Sequence, residues 1–173
     1  NKFIKKGFPN RKLENWKFSD ISQIIKKNIG YLDFYNDYTF KNKIDSSIFV
    51  KEIEHNKIVF INGRIEKIEF NYEDEGKIEI LDELELKENH NFENSLIDLN
   101  NALSNKYYKI VVKENYSLKK PLIIYHTTNE NLHLKNINLR LDFLLKKNSC
   151  LKLVDISNDL SEKNFINIIY NFE

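Results

Sequence analysis

From Lys77 to Glu173 the chain contains no glycine, yet this stretch carries a series of short apolar, β-branched segments. Tight two-residue hairpins need positive φ, which glycine adopts most easily. The turns here therefore fall to Asn and Asp, as at Asn129, Asn148 and Asn158. The segments begin near Tyr107, Pro121, Ile137, Cys150 and Phe165, at intervals of roughly 13 to 16 residues, wider than the hairpin spacing of most sandwiches. In the clearest of them Ile137, Leu139, Leu141 and Phe143 alternate with Asn138, Arg140 and Asp142, which predicts one buried and one wet face. One-sided strands joined by wide corners predict a solenoid, each coil lending its apolar face to a continuous core. An antiparallel sandwich is the competing arrangement.

The sequence ahead of this stretch is organised differently. Residues 1–18 set Lys2, Lys5, Lys6, Arg11, Lys12 and Lys17 against Glu14 alone, with Gly7 and Pro9 opposing a long helix. They read as a leader packed through its aromatics. Ser19 and Asp20 can cap a helix from Ile21 to Lys27, with Ile21, Ile24 and Ile25 on one face and an end near Gly30. Residues 31–50, with Tyr31, Phe34, Tyr35, Tyr38 and Phe40, lack a clean period and read as irregular or partly helical. From Lys57 onward the pattern turns to strands at Ile58–Ile61, Ile65–Phe70 and Lys77–Leu81. One helix interrupts them, where Leu96, Ile97, Leu99, Asn100 and Leu103 follow the polar start Glu93-Asn94-Ser95. The expected organisation is an N-terminal helical and irregular region over residues 1–56 and a strand-rich region over residues 57–173. Because the chain begins at Asn1 and stops in a strand-like run, a longer protein is expected.

Composition excludes little but frames the rest. Hydrophobic residues at 41% and aromatics at 13% predict an ordered core despite 31% charged residues. Lys plus Arg (27) balances Asp plus Glu (26), so no global field draws the chain to nucleic acid or anionic lipid. Neither partner is expected. The single cysteine, Cys150, cannot form an internal disulfide, and no run is long and apolar enough for a membrane span. A reducing compartment is the expectation.

Motifs of catalysis are missing from the sequence. No GxxxxGK[ST], GxGxxG or GxSxG run occurs. His126, His133 and Cys150 lie in the strand-rich half, and imidazole with thiolate suits zinc or iron. Without a CxxC or HxxxH spacing they read as packing or surface residues, Cys150 as an inert thiol in an apolar strand. Glu73-Asp74-Glu75-Gly76, with Glu79, Asp82, Glu83, Glu85 and Glu88 beyond, lacks the alternating ligands of a calcium loop. It reads as a turn followed by solvated carboxylates. No catalytic, cofactor-binding or metal-binding residue is assigned at this level.

Gly7-Phe8-Pro9-Asn10-Arg11-Lys12-Leu13-Glu14-Asn15-Trp16-Lys17-Phe18-Ser19 resembles the N-terminal signature of the SufD family. In physical terms Pro9 would fix the path, Trp16 and Phe18 would anchor it, and Arg11 could pair with Glu14 or a neighbouring surface. Ile58 to Arg64 looks like the family's strand and turn, and Leu99-Asn100-Asn101-Ala102 looks like its L-N-x-A helix. Pro121 to His126, Leu139 to Leu141, Leu151 to Asp155 and Asn164 to Asn167 resemble its successive strands. The resemblance spans residues 7–173, well under half of a full-length family member. It departs at Asn105-Lys106-Tyr107, where a glycine is usual, and at Asp155, where the family tends to have Glu.

The resemblance implies the opening coils of a right-handed parallel β-helix behind a small mixed N-terminal region. It implies a non-catalytic scaffold that pairs with a SufB-like subunit and binds a SufC-like ATPase in iron–sulfur cluster assembly. The family's residues for cluster assembly and SufC docking lie beyond Glu173, so none transfers to this chain, and no cofactor is expected on this segment. SufB itself shares the β-helix but is not similar in the leader; a SufB-like paralogue is one alternative. A carbohydrate-binding or carbohydrate-active β-helix is another, and it would need paired carboxylates beside stacked rings. A phosphate-binding module using the basic leader is a third.

Overall fold

The computed structural model describes residues 2–35, 44–83, 94–104, 107–129, 132–159 and 162–173. Strands dominate, in two mixed four-stranded sheets, neither of them closed. The expected Tyr38, Phe40, Glu85, Glu88 and Glu93 lie outside the described residues.

The first sheet starts with β1 (Asn56–Ile61) and β2 (Arg64–Glu69), an antiparallel pair joined through Asn62 and Gly63. Both turn residues have positive φ, 49° and 78°, which suits the right-handed twist of a two-residue hairpin. The second sheet starts with β3 (Ile78–Glu83), antiparallel to β4 (Tyr107–Val112). From β4 onward the chain changes sheet at every strand. β5 (Leu122–Thr127) lies parallel to β1, β6 (Asn136–Leu145) to β4, β7 (Leu153–Asn158) to β5, and β8 (Phe165–Phe172) to β6. The sheet orders are β2-β1-β5-β7 and β3-β4-β6-β8. Tyr107 faces Arg140, Leu122 faces Leu153 and Asn136 faces Phe165, so each layer consumes 29 to 33 residues. The expected strand starts agree to within a few residues, and each sheet combines one antiparallel pair with two parallel pairs.

The core fills the space between the sheets. Ile58, Phe60, Leu122 and Ile124 from one side meet Tyr108, Ile110, Leu139, Leu141 and Phe143 from the other, all at most 4% exposed. Each fully buried Ile, Leu or Phe contributes about 1.5–3 kcal/mol of hydrophobic burial, so this column dominates stability. A second cluster, Val59, Ile61, Ile123 and Tyr125, lies on the outer face of the first sheet and packs under Ile44, Ile48, Phe49 and Val50.

The turns differ in part from the expectation: Asn148 makes a corner, but Asn158 is the last residue of β7. Asn115 and Asn148 adopt positive φ, and so do Leu134 and Lys163. Leu134 and Lys163 sit at stacked corners, the Leu134 amide donating to the Lys163 carbonyl at 2.9 Å. Backbone bonding between layers stabilises a conformation that side chains of this kind rarely adopt alone.

Several expectations are corrected. The polar face of β6 is not wet: Asn138 is 8% and Arg140 7% exposed. It is roofed by α3 (Ser95–Leu103), whose Asn100 donates to the carbonyls of Leu139 (3.0 Å) and Asn167 (2.8 Å). Arg140 pairs there with Asp142 at 2.8 Å. Cys150 is exposed rather than buried in a strand, because β7 begins only at Leu153 and Cys150 makes an isolated bridge to Ser117. In α2 (Ile21–Asn28) Asp20 caps the Gln23 amide as expected, and Gly30 follows the helix end. Ile25 is buried but Ile24 is 55% exposed. In the leader Phe18 is 92% exposed and Trp16 only partly buried, so neither is the deep anchor the sequence suggests. Arg11 lies 4.0 Å from Asp20 rather than pairing with Glu14.

Candidate functional site

The leader is fastened to the strand region from its first turn. In α1 (Lys2–Lys6) the Lys6 ammonium contacts the buried carboxylate of Asp98 on α3 at 2.9 Å. Gly7, at φ 68°, closes the helix by bonding the Phe3 carbonyl, and Phe3 meets Phe8 edge-on at 5.0 Å. Pro9 is buried. Glu14 to Trp16 then form a single 3-10 turn. α1 thus holds the leader to α3, and the Gly7–Ser19 segment that follows is folded locally, leaving Leu13 and Phe18 exposed.

Polar groups converge inside the inter-sheet space at its β7 and β8 end. Parallel register sets Phe60, His126 and Ser157 in one row and Ile58, Ile124 and Asp155 in the next. Across the core Tyr108, Leu141 and Tyr170 form the facing row. The His126 ring stacks on Phe60, with centroids 5.1 Å apart and an 18° tilt. Its Nε2 lies 2.8 Å from the Tyr170 hydroxyl oxygen and 3.3 Å from Asp155 Oδ2. The Tyr170 hydroxyl donates to Asp155. With that proton committed, the phenol oxygen accepts from His126, which places a hydrogen on Nε2. Tyr170 is itself stacked on Phe143. The His126 side chain is 8% and that of Asp155 37% exposed, so the group is reached from one end. A small cleft, open to solvent, adjoins it and is lined by Gly63, His126, Thr128, Ile137, Ser157 and Asp159.

Two other polar nodes hold structure. Tyr125 accepts from the Val50 amide at 3.1 Å and lies 2.8 Å from His55 Nε2, while His55 Nδ1 lies 2.8 Å from the Ile53 carbonyl. The bonds close only if Nδ1 carries the hydrogen and Nε2 accepts from the phenol, tying the segment before β1 onto the outer face of the first sheet. Burial pushes the Tyr125 phenol up, partly opposed by the Val50 bond. Glu73 is the second node. Its carboxylate accepts from Asn56 Nδ2 (2.6 Å), the Tyr116 hydroxyl (2.7 Å) and the amides of Lys119 (3.0 Å) and Lys120 (3.1 Å). Burial raises its carboxyl, but the bonds from Tyr116, Lys119, Asn56 and Lys120 outweigh that and hold it below the usual carboxylate range.

The structure separates the candidates singled out by residue type. His126 is in the core, His133 bonds the Glu162 carbonyl at an exposed corner, and Cys150 is exposed at another. Glu79 pairs with Lys113, and Asp74 with Lys119. Among the described residues no three His, Cys, Asp or Glu side chains gather as a metal site. The sequence alone gives Asp155 and Tyr170 no site role, because only the layer register brings β7 and β8 against β5. The one available signal was a carboxylate at a core-facing position of Leu153–Asn158, two residues from Leu153.

No protein-family model matches the chain, and no curated protein matches it. Among the described residues no helix is long and apolar enough to cross a membrane.

Proposed function

We propose that this chain is the front portion of a SufD-like subunit, a non-catalytic scaffold in iron–sulfur cluster assembly. The observation that carries the reading is the Gly7–Ser19 segment, whose Gly-x-Pro-x-Arg-x-x-Glu-x-Trp pattern resembles the SufD leader. Two features are consistent with it. The leader is clasped to α3 through Lys6 and Asp98, and α3 contains the Leu99-Asn100-Asn101-Ala102 segment similar to the family's L-N-x-A helix. Strands that change sheet at each corner and stack in parallel layers are what the opening coils of a β-helix require. Parallel crossovers are almost always right-handed, which favours a right-handed coil in this reading.

In this reading the rigid inter-sheet core is a platform for partners rather than a site of chemistry. A SufB-like subunit pairs with the full-length protein, and a SufC-like ATPase supplies hydrolysis. The cluster is the cargo of the assembled complex, in cytoplasm or organelle stroma. Co-purification of the full-length protein with SufB and SufC candidates, followed by iron and sulfide analysis, tests it. A stoichiometric ternary complex that accumulates both elements supports the reading. Failure to co-purify with either partner, from an extract in which both are abundant, overturns it.

A further inference from the structure

We propose that His126, Asp155 and Tyr170 form a binding site for a divalent first-row metal ion, independent of the scaffold reading. Asp155 and His126 occupy core-facing rows whose neighbours are Ile58, Ile124 and Phe60. A carboxylate and an imidazole at such positions break the apolar pattern of a stacked core, and departures of this kind concentrate at functional sites. The three groups come from β5, β7 and β8, hence from both sheets, and their donor atoms converge. Nε2 lies 2.8 Å from the Tyr170 oxygen and 3.3 Å from Asp155 Oδ2. These two separations match ligand-to-ligand edges of a coordination shell with bonds of about 2.0–2.2 Å, whereas the Tyr170 oxygen and Asp155 Oδ2, joined here by a hydrogen bond, must move apart once the shared proton leaves.

Imidazole nitrogen with carboxylate and phenol oxygen is a borderline donor set suited to zinc and its neighbours rather than to calcium. Phe60 and Phe143, stacked on His126 and Tyr170, hold the rings in place. Exposure on the Asp155 side provides access and lets water complete the shell. On binding, the imidazole hydrogen shifts from Nε2 to Nδ1, Nε2 and the carboxylate donate to the metal, and Tyr170 loses its phenolic proton to solvent as its oxygen coordinates. One proton is released per ion and nothing is oxidised or reduced.

The test is titration of the whole chain with Zn²⁺ by calorimetry, in two buffers of different ionisation enthalpy, alongside Co²⁺ absorption in the visible. One equivalent should bind with release of one proton, and Co²⁺ should give a d–d spectrum of low-symmetry coordination. Tyr170→Phe should abolish proton release and weaken binding at least tenfold, as should Asp155→Asn and His126→Asn. His133→Asn, which removes an exposed imidazole, should change nothing. Absence of stoichiometric binding to the wild type overturns the proposal. So does binding that survives in the Asp155→Asn/Tyr170→Phe double variant, or that disappears in His133→Asn. The double variant leaves His126 packed on Phe60, and circular dichroism establishes that it is folded.

Discussion

Asn148 sits on Asn115 at successive corners of the stack, its Nδ2 donating to the Asn115 Oδ1 at 2.9 Å, both residues in left-handed conformation at φ 57° and 55°. The Asn115 amide bonds the Lys147 carbonyl at 2.9 Å, so side chain and backbone both link the two layers. Asparagine tolerates this conformation where most residues do not. Asn148→Ala should cost about 1–2 kcal/mol, mainly from the backbone, and Asn148→Gly less than half of that. Urea unfolding of the two variants separates backbone preference from the side-chain bond; equal losses would assign the whole effect to the bond.

Gly63 is fixed by two constraints at once. It has φ 78°, and a Cβ there would lie 2.6 Å from the Ile137 Cγ2 on β6. Gly63→Ala should destabilise by about 2–3 kcal/mol, from backbone strain and the forced shift of a core residue. Combining it with Ile137→Ala should recover the steric part alone, seen as a non-additive double-mutant cycle in thermal melts.

Glu73 makes stability depend on acid pH. Its folded carboxyl titrates below the ordinary value of about 4.3. Its contribution is therefore complete above that ordinary value and is lost as pH falls through the lowered folded one. Glu73→Gln should flatten this portion of the stability-against-pH curve and cost about 1–3 kcal/mol at neutral pH, since an amide oxygen cannot serve four donors equally. Denaturant midpoints at neutral and acid pH check both statements.

Asn100 ties α3 across β6 and β8 through two buried carbonyls. Asn100→Leu strands both acceptors and should cost about 2–4 kcal/mol. Hydrogen exchange should show the loss first in residues 95–103, before the inter-sheet column opens.

The strand β8, Phe-Ile-Asn-Ile-Ile-Tyr-Asn-Phe, has no charge and ends its sheet among the described residues. Uncharged edges invite pairing with other chains. The 173-residue chain should self-associate with rising concentration, and Ile169→Lys should suppress this in sedimentation velocity. A wild type that stays monomeric throughout would show the edge to be protected.

What the sequence settled by itself is what depends on neighbours along the chain. Alternation in Ile137 to Phe143 marked a strand, Asp20 marked a helix start, and the lack of glycine after Gly76 marked Asn148 as a turn residue, though not Asn115, Leu134 or Lys163. Register and covering are different in kind, since they depend on which layers meet. Arg140 looked solvated because its alternation is polar, and only α3, held by Asn100, makes its face an interior. Phe18 looked like an anchor by size, yet nothing packs over most of it. His126, Asp155 and Tyr170 are far apart in sequence and share no spacing rule; they meet because parallel pairing places β7 beside β5 and β8 across from both. Local preferences are encoded in a few consecutive residues, whereas convergence of side chains is created by the backbone bonds between layers, whose partners no single segment specifies.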